Sequence, residues 1–205
     1  MQLDFRTHKK TKKFPYPVLG VILSLALIGL FVYFTKNNIP LESLIRKTAA
    51  KEFLDVYYFG FIIINTLLFL FSLAMVFQLR GNMKILLVLS LFSYCLSGIL
   101  AGYFYENVLS DTLMRIYYIS ALSFFIFYLL TVLFQNRTFS KYTNPIIIVI
   151  SSLSIIPLAI ICIMILSQSG LEDNLIITVN YFYLLSLLLY ALSNSIYIFQ
   201  LNRKV

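Results

Sequence analysis

Few side chains in this 205-residue sequence have the type and spacing that chemistry requires. The single histidine, His8, lies in a basic tail, so neither a bis-histidine haem nor a histidine-based zinc site can form. The two cysteines, Cys95 and Cys162, lie in separate apolar segments and form no C-x-x-C motif. Buried cysteine usually packs as a small hydrophobic side chain. We therefore expect no metal, no cofactor and no catalytic residue, and we do not expect an enzyme.

Motifs for nucleotides and for buried acid chemistry are missing from the sequence as well. It contains neither G-x-x-x-x-G-K-[ST] nor G-x-G-x-x-G, so we do not expect the chain to power transport itself. All carboxylates lie outside the apolar stretches. That distribution argues against an aspartyl intramembrane protease and weakens the case for proton-coupled transport.

Two asparagines, Asn65 and Asn180, are polar residues inside apolar segments. A hydrogen bond between helices, worth about 0.6 kcal/mol in a membrane, is the simplest role for each. The alternative is a polar pocket that both residues line. Four acidic residues would then form the rim of that pocket, although such a group is often only a solvated edge: Glu106, Asp111, Glu172 and Asp173.

The distribution of charge shows what must position these residues. All 24 charged residues fall outside six windows, at 14–35, 56–79, 85–105, 116–136, 142–171 and 174–202. A bilayer core needs roughly 20 apolar residues as a helix, and a buried charge costs about 2.5–3.5 kcal/mol there. We therefore predict one all-α domain over residues 1–205, a polytopic membrane bundle of six transmembrane helices. The spans are predicted near 17–34, 59–79, 85–103, 116–134, 145–166 and 176–199.

Lysine and arginine in the short connections predict the orientation. Eleven of them lie in the two tails and in the second and fourth connections, and five lie on the other side. Positive residues favour the cytoplasmic side, so both termini are predicted to be cytoplasmic, in a bacterial plasma membrane. Residues 1–13 are then a basic cytoplasmic tail, which can attract anionic lipid headgroups. The positive charge therefore gives no reason to expect nucleic-acid binding.

The first outer connection, residues 35–58, is the only long one. Leu41, Leu44, Ile45 and Thr48 recur at helical spacing after the turn signal at Pro40. This pattern predicts a short amphipathic helix on the outer membrane surface or capping the bundle. A disordered loop is the alternative.

The third span has the clearest packing signal, the motif Gly98-x-x-x-Gly102. Small residues let helix backbones approach closely in lipid. We therefore expect this span to pack closely at the centre of the bundle. Contact with a second copy of the chain is the alternative.

The layout resembles an uncharacterised bacterial six-helix membrane family, similar in plan to the FRAG/DRAM/Sfk group. The shared features are the long first outer loop, the turn Tyr103-Phe104-Tyr105-Glu106 after the third span, and the acidic turn before the sixth. The length and layout are also similar to the substrate-binding membrane subunit of an energy-coupling-factor transporter. Those subunits carry paired alanines in the first helix, where this chain has Gly20-x-x-x-Ser24. Neither resemblance assigns a functional residue.

These observations favour a non-enzymatic multi-pass membrane protein whose partners are membrane lipids, another membrane protein or a second copy of itself. A small-solute transport component is the alternative, and a lipid-modifying enzyme comes third. Transport requires a closed polar cavity under the first outer loop, lined by Asn65 or Asn180. Binding of lipid or of a partner instead requires a tight core, with any groove open sideways to lipid.

Overall fold

The computed structural model describes residues 16–78, 84–138, 145–167 and 173–203, and every regular element in these ranges is a helix. A five-residue helix, α2, follows the first long one, and five more long helices complete the chain. The helices are α1 Tyr16–Lys36, α2 Leu41–Ile45, α3 Lys51–Gln78, α4 Lys84–Tyr103, α5 Leu109–Thr138, α6 Pro145–Ser167 and α7 Asp173–Arg203. This architecture is the expected all-α fold.

Five of the described helices are long and apolar enough to span a membrane: Val18–Lys36, Lys51–Ala74, Lys84–Tyr103, Leu109–Thr131 and Thr178–Ile196. In α6 the corresponding stretch, Leu153–Ile165, is apolar but shorter within the described residues. Large apolar side chains such as Leu25, Phe92 and Ile163 are exposed on the surface of the bundle. Lipid accounts for that exposure, because monomeric soluble proteins rarely show such extensive apolar patches. The chain is therefore a helical membrane bundle.

The six long helices form a ring. In the order α1, α3, α4, α5, α6, α7 each helix packs against the next, and α7 packs back against α1. The expectation that the third span lies at the centre is therefore wrong, since α4 occupies one place in the ring between α3 and α5. Buried aromatic side chains fill the interior instead: Phe71, Tyr94, Phe124, Tyr128 and Tyr190. Small residues let two helices approach closely, but their side chains are too small to fill the interior of a ring of six helices.

Gly98 and Gly102 hold α4 close to α3. A Cβ atom added at Gly98 would lie 2.6 Å from Oδ1 of Asn65, and one added at Gly102 would lie 3.1 Å from the backbone oxygen of Tyr58. Both glycines are buried. The small-residue motif thus joins α4 to its neighbour within the chain.

The first long connection is more helical than the sequence indicates. The second span was predicted near 59–79, but α3 begins earlier, at Lys51, and α2 is only five residues long. Glu52 in the first turn of α3 favours this start, because a carboxylate stabilises the positive end of the helix dipole. The side chain of Leu44 in α2 is fully buried against Phe34 and Leu54. We call the end of the bundle that α2 covers the α2 end.

The other long helices also extend to or past the predicted spans, most clearly α5, which begins at Leu109 where the span was predicted from 116. The apolar windows mark only the part of each helix that lipid can cover, and polar turns can continue beyond it. The predicted tail, residues 1–13, lies outside the described residues.

Candidate functional site

An apolar cleft of about 520 Å³ lies between α1 and α7, below α2. We call it the α1–α7 cleft. Its lining is leucine, isoleucine, phenylalanine, tyrosine and threonine, without a charged residue: Leu27, Ile28, Leu30, Phe31, Phe34, Thr35, Ile39, Leu41, Leu44, Tyr57, Phe61, Ile64, Tyr117, Thr178, Tyr181, Phe182, Leu184, Leu185, Leu187 and Leu188. Small-molecule pockets span roughly 300–1,000 Å³, so the cleft has the volume of a ligand site.

The α1–α7 cleft opens sideways on the surface of the bundle. Phe31 on α1 and Phe182 on α7 both line it, and about 60% of each side chain is exposed (60% and 61%). Ile64 and Leu187, which line its inner wall, are buried. The entrance is therefore bordered by side chains on the same surface that lipid covers.

The length of the cleft along the helix axes is close to the thickness of one leaflet of a bilayer. On α1 the lining runs from Leu27 to Thr35, eight steps that cover about 12 Å at a rise of 1.5 Å. On α7 it runs from Thr178 to Leu188, about 15 Å. The hydrocarbon core of a membrane is about 30 Å thick, so half of it is about 15 Å.

The floor of the cleft is the place where α1 meets α7. A Cβ atom at Gly20 would overlap Oγ of Ser195 and lie 3.0 Å from the backbone oxygen of Ala191. Leu23 and Ser24, between that contact and the cleft, are buried. The two helices are thus in contact below the cleft and separated at the level of the cleft.

The roof of the cleft is formed by Ile39, Leu41 and Leu44, which lie in α2 and just before it. Ion pairs tie the chain after α2 to the turn after α4 and to the first turn of α5. Nζ of Lys47 lies 3.2 Å from Oδ1 of Asp111, and Nζ of Lys51 lies 2.9 Å from Oε1 of Glu106. The backbone of Lys47 is left-handed, with φ 57°. Two ion pairs therefore attach the segment that follows the roof to the ring of helices.

These two ion pairs line a second, polar hollow of about 450 Å³ at the α2 end. The hydroxyl of Tyr105 donates to Asp55 and lies 3.2 Å from Oε1 of Glu106. The hydrogen bond from Lys51, and then its charge, lowers the pKa of Glu106 below the usual carboxyl range. The hydrogen bond to Asp55 raises the pKa of the Tyr105 phenol above its usual value. The charged side chains that line this hollow, and the hydroxyl of Tyr105, are thus already paired.

A tyrosine network lies behind the cleft. Tyr117 lines the cleft, and its hydroxyl is 3.0 Å from that of Tyr183, which also hydrogen-bonds to Tyr94. The three residues come from α5, α7 and α4, and all three are buried. Hydrogen bonds of this network thus link α4, α5 and α7 behind the inner wall of the cleft.

The two asparagines of the predicted polar pocket lie at different helix contacts. The side-chain amide of Asn65 donates to the carbonyl of Phe61 at 2.9 Å, and its Oδ1 faces Gly98 without a hydrogen-bond partner in the described structure. Oδ1 of Asn180 accepts from the hydroxyl of Tyr118 at 2.8 Å. Neither residue lines the α1–α7 cleft or the polar hollow.

The predicted acidic rim is placed only in part. Glu106 and Asp111 both line the polar hollow, where each is paired with a lysine. Glu172 lies outside the described residues, and at Asp173 only the backbone, where α7 begins, is described. Within the described residues the rim is therefore a set of ion pairs.

Two parts of this arrangement escaped the sequence analysis. Lys47 and Lys51 were counted only as loop charges, and their pairing with Asp111 and Glu106 has no local sequence signal. Tyr117 was not among the predicted site residues, and its side chain is buried. A helical-wheel comparison of tyrosine with its polar neighbours could have found that buried face.

No family model, curated protein or solved structure matches this chain. The α1–α7 cleft and the polar hollow are the features from which a function is proposed below.

Proposed function

We propose that this chain is a non-enzymatic multi-pass membrane protein that binds a membrane lipid and holds an acyl chain in the α1–α7 cleft. The observation that carries the proposal is an uncharged, apolar lining that opens sideways among lipid-exposed side chains. A hydrocarbon chain suits such a lining because the hydrocarbon has no polar group that would be left without a hydrogen-bond partner. Its depth, about one leaflet, also fits a chain from the surrounding bilayer.

A flexible chain fits the cleft better than a helix of a partner protein. Interfaces between membrane helices are rich in small residues, which let the backbones approach closely. The lining contains no glycine, alanine or serine. Bulky side chains around a narrow space are what a linear hydrocarbon can fill, because it bends around them.

We further propose six crossings, with both termini in the cytoplasm of a bacterial cell. The 23 residues of α6 would cover about 34 Å as a helix, which is enough to cross the hydrocarbon core. Charged residues are absent from its entire sequence window. The basic residues at the two tails support the orientation. The α2 end then faces outward, and the bound lipid belongs to the outer leaflet. This plan agrees with the resemblance to the six-helix family.

The transport alternative has less support. It calls for a closed polar cavity lined by Asn65 or Asn180, whereas both residues lie at helix contacts away from the two hollows. A lipid-modifying enzyme has less support still. It needs a reactive side chain with an activating partner beside the lipid, and the polar side chains of the cleft lining are only threonines and tyrosines, without a histidine, lysine or carboxylate.

Native mass spectrometry of protein extracted gently from its membrane tests the proposal. We expect a retained lipid, and we expect Leu188→Trp, which fills the cleft, to reduce its amount several-fold. Leu89→Trp on the lipid-facing surface of α4 is the matched control and should leave retention unchanged. A vitamin-sized ligand would favour transport instead. A co-purifying membrane protein or second copy without lipid would favour partner binding.

A further inference from the structure

We infer that the α1–α7 cleft selects its ligand by chain length, taking a single linear hydrocarbon chain no longer than one leaflet. This inference rests on the proposed lipid binding and adds what limits the ligand. The limit arises because the cleft is closed at both ends while it stays open at the side.

The lower limit of the cleft is fixed by backbone contact. Gly20 brings α1 against Ser195 and Ala191 of α7, so no channel continues between the helices at that level. Leu23 is fully buried one turn below Leu27, the deepest lining residue on α1. A longer chain could not extend further without separating α1 from α7.

The upper limit is the roof, where Leu44 is fully buried and packs on Phe34. An acyl chain must therefore enter sideways between Phe31 and Phe182. The headgroup of its lipid then stays outside the cleft, in the surrounding leaflet. Between roof and floor the lining covers about 12–15 Å, so extra methylenes would have to fold back or protrude. Protein interiors tolerate such overpacking poorly.

Above the contact between Gly20 and α7, the side chain of Leu27 sets how far down the open space reaches. Leu27→Trp should raise this lower limit and favour shorter chains, and Leu27→Ala should lower it and favour longer ones. Leu25→Trp is the matched control, because Leu25 lies on the same helix but is 62% exposed to lipid, outside the cleft.

Each protein is incorporated into nanodiscs that contain an equimolar series of phosphatidylglycerols differing only in acyl chain length. It is then extracted, and the retained lipids are quantified by mass spectrometry. For the wild type we expect acyl chains whose extended length exceeds the roughly 12–15 Å of the lining to be depleted. The depletion should be at least about fivefold relative to the best-bound length. The preferred length should fall in Leu27→Trp, rise in Leu27→Ala and stay constant in Leu25→Trp.

Retention of lipid with the same length distribution in every variant would overturn the length limit and leave the proposed lipid binding standing. Absence of any retained lipid from the wild type would overturn the proposed function itself. If Leu27→Trp loses all lipid, Leu27→Ala still decides, because an unchanged distribution in that variant contradicts the inference.

Discussion

Oδ1 of Asn65 in α3 lies over Gly98 in α4, at 2.6 Å from the position where a Cβ atom would stand. The amide nitrogen of Asn65 is held by the carbonyl of Phe61, so the side chain is fixed in the contact and cannot easily turn away. A buried asparagine and a glycine thus form one feature of the α3–α4 interface. The packing motif and the polar residue were separate signals in the sequence, yet they meet in the fold.

Gly98→Ala should destabilise the bundle by about 1–3 kcal/mol, the usual cost of overpacking a core. The added methyl group must displace Asn65 or push α4 away from α3. Gly29→Ala is the control, because a Cβ atom there meets nothing within 4 Å. Thermal unfolding in detergent measures both variants. Equal midpoints for the two would show that the contact has no energetic role.

Tyr183→Phe should lower the unfolding free energy by about 1 kcal/mol, since its hydroxyl joins Tyr94 and Tyr117 and each such bond in a membrane is worth about 0.6 kcal/mol. Tyr181→Phe, two residues away, is the matched control, because Tyr181 is partly exposed and lines the cleft. Denaturant titration in mixed micelles gives the comparison. A loss that is as large for Tyr181→Phe would argue against a specific network.

The sequence predicted the class of fold because the exclusion of charge from lipid acts on each segment separately. It could not predict the ring order of the helices, because packing depends on which side chains of distant segments fit together. Gly98 was therefore predicted as a packing residue and Asn65 as a helix–helix hydrogen-bonding residue or a pocket residue, but their contact with each other was not predicted. The α1–α7 cleft had no signal at all, since its leucines and phenylalanines look like any other lipid-facing residues.

Acidification should weaken the attachment of α3 to the turn after α4. The pKa of Glu106 is lowered in the folded protein, so its ion pair stabilises the fold above the unfolded pKa of about 4.3. That stabilisation is lost as the pH falls below this value, through the folded pKa. Glu106→Gln lacks the contribution at every pH and should show a flatter decline as the pH falls below about 4.3. Unfolding midpoints measured against pH test this.

Lys51→Met is the companion variant in the acidification experiment, because it removes the cation that lowers the pKa of Glu106. Its decline should be flattened in the same way as that of Glu106→Gln. If both variants matched the wild type, the pair would have no role in stability. The effect should be small in any case, because solvent screens an ion pair between two exposed side chains.

The proposed orientation can be tested with a single cysteine in the turn between α4 and α5. Val108 is 87% exposed, so Val108→Cys should react with a membrane-impermeant maleimide added outside intact cells. The native thiols of Cys95 and Cys162 are buried and should give little background. Asn82→Cys, in the opposite connection by the predicted topology, should react only after the membrane is opened. The reverse pattern would place both termini outside.

The measurement that tests lipid binding in the α1–α7 cleft most directly is cross-linking with a phospholipid whose acyl chain carries a photoreactive group near its end. Ile64 and Leu187 line the cleft but are almost hidden from the surrounding bilayer, at 7% and 1% exposure. Leu68 and Leu91 are equally buried and do not line it. If an acyl chain lies in the cleft, labelling will be found at Ile64 and Leu187 and not at Leu68 or Leu91. Labelling confined to exposed residues such as Phe92 would contradict the account.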